Sequence, residues 1–172
     1  MKKLSICEAA LTQEQINAIV NIIVHQCSLI SQREKNDRRN YPELYDEDYT
    51  RGRRHSFTAS VLAGFQKDTV IPNMVITKRK YGRCHCQPEL SSDTAVVQLY
   101  SYDATLKIDE IKQKCKQFNT PDSKRRFAIF QFFLTNAGHL RQVDLVNFDG
   151  EANEVSRRCV FLQKEQVISL SA

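Results

Sequence analysis

Within six residues, Arg51-Gly52-Arg53-Arg54-His55-Ser56 gathers three guanidiniums, an imidazole and a hydroxyl, a set whose natural chemistry is the binding of anions. The stretch stands directly before Phe57, Val61, Leu62 and Phe65, whose spacing predicts a helix of about two turns that Ser56 would cap. A helix N-terminus already carries about half a positive charge, so each cation placed there costs about 0.3 to 1 kcal/mol. A sequence that accepts this cost is a candidate anion site. Arginine forks and the free N–H groups of Ser56 to Thr58 would together grip phosphates or carboxylates. The competing explanation is internal, because the acidic run Glu43 to Asp48 lies just upstream and could neutralise the same charges.

A second basic group, Lys78, Arg79, Lys80 and Arg83, flanks Tyr81, an aromatic ring that could stack on a base. Lysines of this kind also protect sheet edges from pairing with other chains. Arg38-Arg39 and Lys124-Arg125-Arg126 complete four separate basic clusters, the last of which reads as a solvated loop.

Metal and catalytic chemistry find less support. On a strand, Cys84 and Cys86 of Cys84-His85-Cys86 would point to one face, but a structural zinc site needs four ligands and no second pair follows. His25 and Cys27 fall on different faces of a helix. A metal-dependent nuclease would need a carboxylate and then an acid-x-Lys pair on adjacent strands. Asp144 has no lysine two residues on, and Glu110-Ile111-Lys112 belongs to a helix. The sequence holds no nucleophile elbow and no Gly-rich phosphate loop, and catalytic triads assembled in space leave no local trace. The expectation is therefore a protein without metal or other cofactor.

The chain that must position these groups has 172 residues, enough for one domain burying about 70% of its unfolded surface. It is 41% hydrophobic and 26% charged, the balance of an ordinary globular protein, and its net charge of +5 permits an acidic partner. No run of 18 apolar residues exists, which argues against a helical membrane span. Met1 to Cys7 begins like a secretory leader, but Glu8 and Thr12 to Gln15 interrupt it. The six cysteines sit mostly inside elements and read as reduced thiols of a cytoplasmic protein.

Thr12 and Gln15 form a capping box that starts a helix near residue 13, and Ile16, Ile19, Val20, Ile23, Cys27 and Ile30 give it an apolar stripe. Strands are predicted over Met74 to Tyr81, Thr94 to Tyr102, Phe127 to Thr135, Leu140 to Phe148 and Val155 to Leu162. The first carries too much charge to be central. Phe127 to Thr135 is apolar on both faces and reads as a sheet centre. Between the second and third strands, Thr105 to Phe118 shows helical spacing, with acids first and lysines last as the helix dipole prefers.

These readings predict a single α+β domain over residues 1–172. A mostly antiparallel sheet of about five strands, ending in a β-meander, packs with two or three helices, and a polar loop spans about 31–55. The expected function is that of a small non-enzymatic binding module. It would engage a polyanion, nucleic acid or an acidic protein surface, through Arg51, Arg53, Arg54, His55, Ser56, Lys78, Lys80 and Arg83. The alternatives are a regulatory or structural protein acting through protein contacts, with its sheet edge or the Tyr41 to Tyr49 stretch, and an enzyme of nuclease or other hydrolase type whose site is spatially assembled.

Overall fold

A computed structural model describes residues 8–42, 57–66, 69–81, 85–102, 108–135 and 138–163, with the backbone alone described at 79–81 and 85–86. Helix α1 spans Gln13–Asn40 and begins at the expected capping box: the Thr12 hydroxyl accepts the Gln15 N–H at 3.2 Å, and the Gln15 side chain accepts the Thr12 N–H at 3.0 Å. Residues 57–63 form a short helix, α2. The sheet comprises β1 (Val75–Tyr81), β2 (His85–Ser91), β3 (Ala95–Ser101), β4 (Arg126–Leu134), β5 (Leu140–Phe148) and β6 (Glu154–Leu162), with α3 (Ile108–Phe118) between β3 and β4.

The strands lie in sequence order across one six-stranded sheet. Every neighbouring pair is antiparallel except β3 and β4, which run parallel because α3 returns the chain to the starting end before β4 begins. The α+β class and the mostly antiparallel sheet match the sequence reading, with six strands where about five were expected. The additional strand is β2, whose Pro88 argues against a central strand. The structure accommodates it because β2 pairs with β3 only over Glu89, Leu90 and Ser91, so Pro88 stands where that ladder has already ended.

A second difference concerns the polar loop expected over about 31–55. Residues 31–40 instead continue α1, while 43–55 lie outside the described residues. Glutamine, arginine, glutamate and lysine are good helix formers, Glu34 and Arg38 pair across one turn at 3.1 Å, and Arg38 and Arg39 suit the negative end of the dipole. Polarity alone did not mark a loop.

Alternation along the strands sends side chains into two cores. Ile16, Ile19, Ile23 and Ile30 of α1, with Phe57, Val61 and Phe65 of the α2 region, cover Leu90, Val97, Leu99, Phe130, Phe132, Val143 and Leu145 on one face. Ile111, Cys115 and Phe118 of α3 cover Val96, Tyr100, Phe127, Ile129, Val146 and Phe148 on the other. Every residue of β3 is buried, as expected of a strand covered on both sides. Full burial of one such aliphatic or aromatic side chain contributes about 1.5 to 3 kcal/mol.

The two edges are guarded differently. On β1 the run Lys78-Arg79-Lys80 discourages pairing with a second basic edge. On β6 the register with β5 slips twice, leaving Val155 and Val160 as extra residues that break the regular outer ladder.

Candidate functional site

Strand direction defines the ends of the molecule. The C-terminal ends of β1, β3 and β4 share one end of the sheet, since β1 is antiparallel to β2, β2 to β3, and β3 parallel to β4. Helix α1 starts at the opposite end, where the Ala9 N–H donates to Asn147 Oδ1 at 3.0 Å and Thr94 donates to the Ala10 carbonyl at 3.0 Å. It reaches the first end at Ser31, whose hydroxyl lies 3.0 Å from His139 Nδ1 in the connection between β4 and β5. The last turns of α1, with exposed Arg33, Lys35, Arg38 and Arg39, therefore extend at the end to which β1 carries Lys78 and Lys80.

Gly138 fixes where the chain enters α2. Its backbone has φ +73°, and a Cβ there would stand 2.6 Å from Ile30 Cγ2 and 3.2 Å from the Phe57 ring, so glycine lets that ring seat against Ile30. Phe57 thus anchors the first residue after the arginine stretch at the same end. Arg51, Arg53, Arg54, His55, Ser56 and Arg83 lie outside the described residues. Lys78 is exposed and makes no ion pair among the described residues, and Lys80 is placed by its backbone on β1.

The four basic clusters do not all converge. Lys124 to Arg126 lies at the opposite end, where the chain enters β4 and Arg126 Nη1 donates to the carbonyls of Phe118 at 3.2 Å and Ser123 at 2.8 Å. Between β1 and β4 stand β2 and β3, about 14 Å of sheet at the usual strand spacing. The β1 lysines and the α1 arginines accordingly share an end without forming one continuous patch.

Sequence reasoning did not find the polar network on the α3 side of β4, β5 and β6. Asp144, 1% exposed, accepts from Gln142 Nε2 at 2.7 Å and from Arg157 Nη1 at 3.0 Å. Arg157 also donates to Gln131 Oε1 at 2.9 Å and forks onto both oxygens of Glu154 at 2.9 and 2.7 Å, while its guanidinium lies over the Tyr102 ring. The Glu154 bonds, aided by Asp144, raise the Arg157 pKa further above its ordinary value. Four donor contacts to three side chains leave this guanidinium little to offer a ligand. The only hint in sequence was the presence of Asp144 and Arg157 inside two predicted strands.

A second chain of bonds joins Tyr100 to Gln98, Gln98 to Glu89 and Glu89 to Lys114, tying α3 to β2 and β3. Of the Cys84-His85-Cys86 motif, His85 and Cys86 begin β2 and Cys84 lies outside the described residues. Among the described residues no group of three or more His, Cys, Asp or Glu could hold a metal ion, and no helix is long and apolar enough to cross a membrane.

No family model, no curated protein and no solved structure matches this chain.

Proposed function

We propose that the protein is a non-enzymatic binding module that engages a polyanion, nucleic acid or an acidic protein surface, through the basic end of its sheet. The observation that supports this most is that the last turns of α1, with Arg33, Lys35, Arg38 and Arg39, lie at the end of the sheet towards which β1 runs from Lys78 through Lys80, an end the fold reaches through the Ser31 to His139 contact. Arg51, Arg53, Arg54, His55, Ser56 and Arg83 join the reading by their place in the sequence, the first five directly before Phe57 and the last directly after β1.

Mechanistically, lysine and arginine would neutralise phosphates or carboxylates and release bound counterions, with arginine forks fixing orientation. Binding of that kind falls linearly in log K with log salt. Titration of labelled single- and double-stranded oligonucleotides and of polyglutamate at about 50 and 200 mM salt is the test. Affinity for at least one polyanion at low salt, lost steeply at the higher salt, is expected. No binding to any of them at low salt would overturn the reading.

A further inference from the structure

The open edge at β1 offers more than charge. Among the described residues, strand β1 pairs only with β2, so every second residue along its outer side turns a backbone N–H and C=O away from the sheet. Val75 is 62% exposed at the start of the strand, Thr77 and Lys78 are exposed after it, and Arg79 and Lys80 follow. No carboxylate lies within β1 to compensate these cations. The other edge, β6, has its outer ladder interrupted at Val155 and Val160, and its Arg157 is already bound by Asp144 and Glu154. Of the two edges, β1 is the one with a regular register along its whole length.

We infer that β1 accepts an acidic extended peptide segment of a partner protein as a seventh strand. The inference rests on the polyanion reading above and narrows it to one partner class. Backbone ladder bonds supply affinity in this mode and side-chain positions supply selectivity. In the antiparallel orientation that most of this sheet uses, the peptide's first residues face the end of β1 and its later ones face the start. Acidic side chains then stand across from Lys80, Arg79 and Lys78, where opposite charges on facing positions are favourable, and apolar or β-branched ones stand across from Val75. A nucleic acid could use the lysines, but it has no ladder of amides to pair with the outer backbone and no aliphatic surface for Val75.

The test uses the full-length protein and a labelled, acetylated octapeptide of three glutamates followed by alternating valine and threonine. Two further versions carry N-methyl groups at the odd or at the even amides, and a single-stranded oligonucleotide serves as the competing probe. An edge strand uses alternate amides of its partner. The expected result is binding of the parent peptide, loss of at least about tenfold with one methylation pattern and little change with the other, and a loss of about tenfold with Lys78→Glu. Equal binding of all three peptides would mean that charge alone acts and would overturn the added strand. Binding of the oligonucleotide without the peptide would overturn it as well while leaving the polyanion reading intact. Binding of neither probe, nor of polyglutamate, would overturn both and leave β1's lysines as edge protection only.

Discussion

The side-chain amide of Asn119 brackets the backbone of Phe127: its Oδ1 accepts the Phe127 N–H at 2.6 Å and its Nδ2 donates to the Phe127 carbonyl at 3.1 Å. The same Nδ2 donates to the Phe148 carbonyl at 2.8 Å, so one buried asparagine just past α3 joins the start of β4 to the end of β5. Truncation would strand the buried Phe127 N–H. Asn119→Ala should therefore cost about 3 kcal/mol, the upper part of the range for an orphaned buried polar group, in urea unfolding. A loss below about 1 kcal/mol would mean that water or a shifted backbone replaces the clamp.

Asp144 and Arg157 form an ion pair in which Asp144 is almost wholly enclosed and Arg157 is about one-third exposed at its side chain. Removal of one partner leaves the other charge stranded, whereas replacing both with apolar residues can be nearly neutral. Arg157→Met should destabilise by about 3 kcal/mol, the low end for a buried pair because Arg157 reaches solvent. Asp144→Leu combined with Arg157→Met should recover more than half of that loss in a double-mutant cycle. Additive losses would show that the two side chains are not coupled.

The turn between β5 and β6 should respond to acid. Asp149 accepts from the N–H groups of Glu151 at 2.9 Å and Asn153 at 2.8 Å and from the Asn153 side chain at 2.9 Å. These bonds, that of the Asn153 side chain foremost, hold its pKa below the ordinary 3.8. A depressed folded-state value stabilises above the unfolded pKa and is lost as pH falls through the folded one. Asp149→Asn should thus fall behind the wild type at neutral pH and converge with it in acid, read as thermal midpoints across pH 2 to 7, a window about that carboxylate range. A gap that stays constant with pH would sink this assignment.

Thiol chemistry should separate the cysteines. Burial pushes Cys27 up to about 12, and burial with Asp149 nearby pushes Cys115 up to about 11, whereas Cys159 is exposed. Since the thiolate is the nucleophile, iodoacetamide at neutral pH should label Cys159 long before either buried thiol, as peptide mass spectrometry would show. The same shifts make folding weaken as pH rises above the ordinary thiol value of 9.0 towards 11 and 12, because the unfolded chain ionises first. Rapid labelling of Cys27 in the native protein would contradict its burial.

How far the sequence revealed this molecule depended on how local each signal was. The start of α1 was legible because Thr12 and Gln15 stand three residues apart and bond each other. Strand β4 was legible as a sheet centre because both its faces are apolar. The latter part of α1 was hidden by polarity, and β2 by a proline whose harmlessness depends on where the β3 ladder stops. The Asp144, Arg157 and Gln131 network was invisible for a different reason. Its members sit 13 and 26 residues apart on three strands, and two register slips on β6 decide which side chains face each other. For the proposed anion site, the sequence supplied residue types, and only the parallel β3 and β4 pairing put the end of β1 and the close of α1 at one end of the sheet.

The most direct measurement of the central claim compares two charge reversals of equal size. Arg39→Glu with Lys78→Glu alters the proposed basic end, and Lys116→Glu with Lys124→Glu alters the opposite one, so both pairs change the net charge identically. Polyanion affinity at about 50 mM salt should fall at least tenfold more for the first pair, and its salt slope should become shallower by about one to two units. Equal losses from both pairs would show that binding follows net charge alone, and would contradict a binding surface at this end of the sheet.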